Sequence, residues 1–314
     1  MADSAARWRP KAARQYATAR IGWTVRALVS EVEDRLSTVA SIAEPKAEAR
    51  DLVAAIVGEP RFWPVLHGDD RVSDAVRARA LVAAGRRLRG APFAYAAGRA
   101  PFRHLSLDVD ENVLIPRQET ELLVEIVLSA CASGGCGSGG GDGIAVDIGT
   151  GTGAIALALA SEGGFDSVIA TDVSLDALGV ARRNVARLGG ALRAPVELRA
   201  GSLFAPLGGM MARVIVSNPP YIALHERQAL PPGVRDWEPA VALFSAGDGM
   251  KTTVEIVDRA PAALLPGGLL ALELDSRRAR VAAERAHATG AFSDVDVLRD
   301  LSGRERYLRA IRRR

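Results

Sequence analysis

The sequence predicts an α/β protein: a Rossmann-like, seven-stranded, mostly parallel sheet preceded by a small N-terminal helical domain. Three observations lead there. From residue 144 onward, short apolar runs alternate with amphipathic stretches at the spacing of βαβ units. The first of these runs feeds a glycine-rich turn, Asp147-Ile-Gly149-Thr-Gly151-Thr-Gly153. Residues 20–90, by contrast, carry helical periodicity and no strand signal.

Residues 1–20 are rich in Ala and Arg with one acid, Asp3, and read as an N-terminal extension. Transit peptides share that composition, but a frayed terminus is the simpler account. Residues 21–98 are expected to form the helical domain, serving to bind substrate. Ile21, Val25, Leu28, Val29, Val32 and Leu36 recur at helical spacing, a second run from Glu48 stops at Gly58, and a third, 72–89, ends at Gly90. Residues 99–118 are expected to be a linking hairpin. Phe102, Leu105, Leu107, Val109 and then 113–115 alternate, with a turn near Asp110-Glu111-Asn112.

Residues 119–314 form the third segment, opened by an amphipathic helix at 119–130. Residues 133–143 are almost all Gly, Ser and Asp and read as a loop or linker. No Gly-Lys-Ser/Thr follows, so they are not a phosphate-binding loop. Strands are expected at 144–148, 168–171, 196–198, 214–217, 269–274, 295–298 and 307–311, and helices at 153–162, 174–188, 251–264 and 276–288. In such folds ligands bind at the carboxyl ends of the strands.

Composition narrows the function. At 48% hydrophobic and 25% charged over 314 residues, the chain has an ordinary globular make-up with room for two domains. The net charge of +3 is spread along the chain, apart from Arg312, Arg313 and Arg314, and reads as solvated surface rather than a nucleic-acid footprint. Two cysteines, Cys131 and Cys136, and four scattered histidines give no metal site; both cysteines read as reduced thiols. No apolar run is long enough to span a membrane, and the expected location is the cytoplasm.

The glycines let the chain turn tightly and bring bare backbone to a ligand, and Asp172 ends the next strand, placed for a ribose diol. Taken alone, this element is shared by dinucleotide-binding enzymes and methyltransferases, since Gly149-x-Gly151-x-x-Ala154 satisfies both patterns. Asp147 tilts the balance. A carboxylate there suits a cationic amino-acid ligand such as S-adenosylmethionine and repels a pyrophosphate.

The fourth strand ends in Asn218-Pro219-Pro220-Tyr221. The prolines bring no N–H and fix the backbone, leaving carbonyls free; Asn218 adds a side-chain acceptor and Tyr221 a flat face. The Asn218 oxygen and the Pro219 carbonyl suit the two hydrogens of a planar NH2 group and would aim its lone pair at a methyl carbon. A Pro-Pro turn closing a strand is the plain alternative.

Here the sequence resembles the protein-glutamine side-chain methyltransferases that modify peptide-chain release factors, the PrmC/HemK type, which are class I S-adenosylmethionine-dependent enzymes. The likeness runs from about residue 48 to the C-terminus. It includes Arg89-Gly-Ala-Pro-Phe-Ala-Tyr-Ala-Ala-Gly98, Val113-Leu-Ile-Pro-Arg-Gln-Glu-Thr-Glu121, Val234 to Gly249, and Asp300-Leu-Ser-Gly-Arg-Glu-Arg306. It implies that Gly149, Thr150, Gly151, Thr152, Gly153, Asp172 and Asn218 bind S-adenosylmethionine, to which the charge argument adds Asp147; Leu203, after the third strand, is expected beside the adenine, where many relatives carry an acid or an aromatic. It implies further that Asn218, Pro219, Pro220 and Tyr221 hold the target nitrogen, with Arg117, Glu119 and Thr120 beside the substrate.

Two departures stand out: Gln118 where the family has proline, and Glu273-Leu-Asp-Ser-Arg-Arg278 after the fifth strand. They keep open an alternative acceptor, the amide or guanidino nitrogen of a free amino acid, with Gln118, Asp275, Arg277 and Arg278 as its polar partners. A nucleic-acid amino group is disfavoured, because residues 20–110 are too short and too weakly basic for a target-recognition domain.

Overall fold

The computed structural model describes residues 22–132 and 143–314. The expected N-terminal extension, Cys136 and nearly all of the glycine-rich segment 133–143 lie outside the described residues. Two compact units divide after Gly98.

In the first unit, helices α1 (Val25–Leu36), α2 (Pro45–Val57) and α3 (Asp74–Leu88) pack their apolar stripes together. Each begins and ends for a local reason. Thr24 and Ser73 cap α1 and α3 by accepting from Ala27 N–H (3.2 Å) and Val76 N–H (3.3 Å). Pro45 opens α2, and Gly58, left-handed at φ 86°, closes it. Leu28, Leu36 and Leu52 are fully buried, each contributing roughly 1.5–3 kcal/mol. A two-residue ladder, Trp23–Thr24 with Arg71–Val72, closes the unit. It is too short for periodicity to reveal.

The second unit is built on a seven-stranded sheet: β1 (Ile144–Ile148), β2 (Ser167–Asp172), β3 (Val196–Ala200), β4 (Ala212–Ser217), β5 (Leu264–Glu273), β6 (Phe292–Arg299) and β7 (Glu305–Arg312). The strand order is β6-β7-β5-β4-β1-β2-β3, parallel throughout except β7, which runs antiparallel to both neighbours. This is the predicted mostly parallel architecture with all seven strands present. Both faces are apolar at period two. Ala145, Val168, Val214 and Leu269 join one core, and Val146, Ile169, Ile215 and Leu270 the other. Burial on both faces explains why these strands read as continuous apolar runs. Helices α4 (Gln118–Ala132) and α5 (Ala154–Glu162) contribute to the first core, and α7 (Lys251–Ala263) and α8 (Ala279–Ala288) to the second; between them in the chain, α6 (Leu175–Leu188) buries Leu178 and Val180.

Two expectations are corrected. The hairpin pairs Arg99–Phe102 with Leu105–Asp108, turning at Arg103-His104, and 113–115 is not a strand. Arg103 takes a left-handed φ of 51°, and charge holds it there: its N–H donates to Glu121 (2.9 Å), and its guanidinium donates to Glu162 (2.6 and 2.7 Å) and Glu125 (2.9 Å). Arginine is no turn former, so the turn was invisible locally. Asp110 does make a local turn, accepting from Asn112 N–H (3.0 Å), but that turn joins no ladder. Cys131 is disulfide-bonded rather than a free thiol; composition alone does not choose between the two states.

Candidate active site

The strand order reverses between β1 and β4, and the site lies beyond their carboxyl ends. Gly149, Gly151 and Gly153 all take left-handed φ (74°, 54° and 83°). A Cβ on Gly149 or Gly151 would meet no atom within 4 Å, so bare backbone faces open space there. At Gly153 a Cβ would press on Leu157 Cδ1 at 3.2 Å, a packing constraint instead.

Asp172 fixes this loop. Its Oδ2 accepts from Gly151 N–H and its Oδ1 from Ser174 N–H, both at 2.9 Å. A carboxylate offers about four lone-pair sites, so roughly two remain for a ligand's hydroxyls.

Asp147 does something other than expected. It is fully buried and lines neither of the two cavities described below; its Oδ2 accepts from the Thr150 hydroxyl (2.6 Å) and from Ala156 N–H (3.2 Å). It thereby satisfies an orphan donor in the first turn of α5, a position that also favours negative charge. Among the described residues its Oδ1 has no partner, and burial pushes the carboxyl up to about 7.

A cavity of about 420 Å³ opens over this loop. Of the residues expected at the cofactor, Gly149, Gly151, Asp172, Leu203 and Asn218 line it; Asp147, Thr150, Thr152 and Gly153 do not. Leu203 is held left-handed at φ 49°. Pro219 and Pro220 line it too, as do Asn112, Ser245, Lys251 and Thr252, none of which was expected at the site. Open glycine faces and an acid with free lone pairs fit a ribose-bearing ligand. Asp147's orphan oxygen beneath the loop suits a positive charge above it.

A second cavity of about 190 Å³ includes Arg117, Tyr221 and Val234 in its lining. Leu114, Asn218 and Ala242 line both cavities. Asn218 donates from Nδ2 to Thr120 Oγ1 at 3.1 Å. Ser217, one residue earlier, donates to Ile148 O (2.6 Å), tying the ends of β4 and β1 together. Burial pushes the Tyr221 phenol up to about 12, and it stays neutral.

Of the three residues expected near the substrate, Arg117 lines the second cavity and Thr120 touches Asn218. Glu119 lines neither, and its backbone carbonyl accepts from the Tyr307 hydroxyl (2.8 Å). Arg117 donates to both oxygens of Glu238, whose side chain is buried, at 2.6 and 2.7 Å. Gln118, Asp275, Arg277 and Arg278 line neither cavity. Asp275 pairs with Arg277 (2.7 Å), and Glu226 takes Arg277 (2.6 Å) and Arg278 (2.7 Å). Gly249 packs so tightly under the Asn218–Tyr221 loop that a Cβ would sit 2.1 Å from Tyr221 O.

Residues 27–98 match the PrmC N-terminal domain family and residues 120–230 the methyltransferase small domain family. A release factor glutamine methyltransferase of Moorella thermoacetica is 38% identical over 92% of this chain and 99% of its own length. One from Deinococcus radiodurans is 36% identical over 92% and 98%. Among solved structures, the hMettl16 catalytic domain in complex with MAT2A 3'UTR hairpin 1 aligns at TM-score 0.50 and 17% identity, covering 84% of this chain and 91% of that one, a likeness of fold alone.

Proposed function

Since this chain belongs to the release factor glutamine methyltransferase family, we propose that it transfers a methyl group from S-adenosylmethionine to the side-chain amide of a glutamine in a peptide-chain release factor. The observation that carries the proposal is the position of Asn218. It lines both the larger cavity, proposed for the cofactor, and the smaller one, proposed for the glutamine amide.

Bound S-adenosylmethionine supplies an electrophilic methyl group on a sulfonium. The protein's part is orientation. Asp172 accepts from the ribose hydroxyls, while Gly149 and Gly151 give the cofactor bare backbone. The Asn218 Oδ1 and the Pro219 carbonyl each accept one amide hydrogen, so the NH2 group is held with its lone pair toward the larger cavity. Arg117 and Tyr221 wall the smaller cavity. Fixing the geometry this way supplies much of the barrier reduction without a strong base.

A free amino acid would need fixed partners for its ammonium and carboxylate. The polar residues at hand for that, Asp275, Arg277 and Arg278, are already paired with one another and with Glu226. The helical unit instead offers exposed apolar side chains, Phe62 and Leu66, as a surface a protein substrate can grip. No helix among the described residues is long and apolar enough to cross a membrane; with its acceptor, the enzyme is proposed to act in the cytoplasm. The test is acceptor screening with labelled S-adenosylmethionine. Label should enter a release factor and not free glutamine, asparagine or arginine; the reverse pattern removes the proposal.

A further inference from the structure

An amide side chain has two ends of nearly equal shape, and only the oxygen end of Asn218 can accept from a substrate NH2. Which end points at the acceptor is therefore decided by what holds the other. Asn218 Nδ2 is held by Thr120 Oγ1 at 3.1 Å. A hydroxyl can act either way toward an amide. If Thr120 gave its proton to Asn218, the amide would turn and present N–H to N–H.

The destination of the Thr120 proton settles this. Glu273 is the last residue of β5, whose parallel register with β4 pairs Ser217 with Leu272, so the next step along both strands sets Asn218 beside Glu273. Thr120, in the first turn of α4, reaches this pair, and its hydroxyl lowers the Glu273 carboxyl against the burial that pushes it up to about 7. Both side chains are buried: Thr120 is 5% exposed and Glu273 1%. Glu273 Oε2 has no partner among the described residues, so the carboxylate is an unsatisfied acceptor. In its ionised form it takes the one proton Thr120 has, and only lone pairs remain to face Asn218.

We propose that Glu273 and Thr120 are positioning residues: the carboxylate fixes the Thr120 hydroxyl as an acceptor, and the hydroxyl locks Asn218 with Oδ1 toward the methyl acceptor. The inference rests on the proposed amide chemistry. It also gives a use to a buried acid that otherwise lacks one.

The experiment measures kcat, KM and S-adenosylhomocysteine affinity for Thr120→Val, Thr120→Ser, Glu273→Met and the Thr120→Val/Glu273→Met double variant, with wild-type transfer to a release factor as reference. Thr120→Val keeps the shape and removes the hydroxyl. It should lower kcat roughly tenfold to a hundredfold while changing S-adenosylhomocysteine affinity less than about threefold. Thr120→Ser should restore kcat to within about threefold of wild type. The double variant should be no worse than Thr120→Val by more than about threefold, because both changes cut one relay. Should Glu273→Met fail to fold, the Val and Ser variants alone decide. Near-normal kcat in Thr120→Val, a Ser variant as impaired as Val, or single effects that multiply in the double variant each overturn the relay while leaving the amide reading intact. No transfer by the wild-type enzyme overturns both.

Discussion

Replacing Gly249 with alanine tests whether the proposed catalytic loop, Asn218–Tyr221, depends on a contact that local sequence does not announce. The added Cβ would lie 2.1 Å from Tyr221 O and 2.7 Å from Arg278 Nε. Carbon and carbonyl oxygen rarely approach closer than about 3.3 Å, so the loop or the glycine must retreat by about 1 Å. The left-handed φ of 84° costs an alanine roughly 1–2 kcal/mol. Overpacking against backbone adds roughly 1–3 kcal/mol. The total of about 2–5 kcal/mol corresponds to a fall in thermal midpoint of roughly 6–15 °C. Because the displaced atom belongs to Tyr221, a shift of about 1 Å should also cost turnover on the order of a hundredfold. Gly303→Ala serves as control: it has φ 82° and no atom within 4 Å of its would-be Cβ, so it incurs the backbone cost alone. Scanning calorimetry and a methyl-transfer assay on both variants separate the two contributions. If Gly249→Ala were no less stable than Gly303→Ala and kept its turnover, the reasoning would be wrong.

Three other outcomes follow from the same geometry. Asp172→Ala should weaken S-adenosylhomocysteine binding by roughly 1–3 kcal/mol in calorimetry, since it removes a charge-assisted acceptor and the bond to Gly151 N–H; unchanged affinity would detach Asp172 from the cofactor. Asn218→Ala should lower turnover by on the order of 2–4 kcal/mol in barrier while leaving cofactor affinity nearly intact, and near-normal turnover would end its proposed role. For Asp147, burial raises the folded-state pKa from 3.8 to about 7. Its stabilising contribution is thus fully present below about pH 4 and lost as pH rises through about 7, a change on the order of 4 kcal/mol. Asp147→Asn cannot ionise, so its thermal midpoint relative to wild type should climb between pH 4 and 7; a difference that stays flat across that range would contradict the burial argument.

The sheet was legible because both its faces are buried. Strands such as Val214 to Ser217 stand out as apolar runs, and glycines and acids punctuate their carboxyl ends. The cavity-lining glycines, Asp172 and Asn218 were legible for a related reason: each stands at the carboxyl end of one of these apolar parallel strands, where such a sheet binds its ligand. What stayed hidden acts across the chain. Thr120 meets Asn218 over a separation of 98 residues, and Gly249 reaches Tyr221 from a distant loop. Asp147 was visible as an acid beside the glycines, but its burial under α5 depends on the packing of that helix, which no spacing encodes. Arg103 turns the hairpin only because Glu121, Glu125 and Glu162 converge on it.

The decisive experiment is to incubate the enzyme with a peptide-chain release factor and S-adenosylmethionine, digest the product, and locate any added methyl group by tandem mass spectrometry, with Asn218→Ala run in parallel. A single methyl group on the side-chain nitrogen of one glutamine, absent or much reduced with Asn218→Ala, is the expected result. An unmodified release factor, or a methyl group on a side chain without a planar NH2, would contradict it.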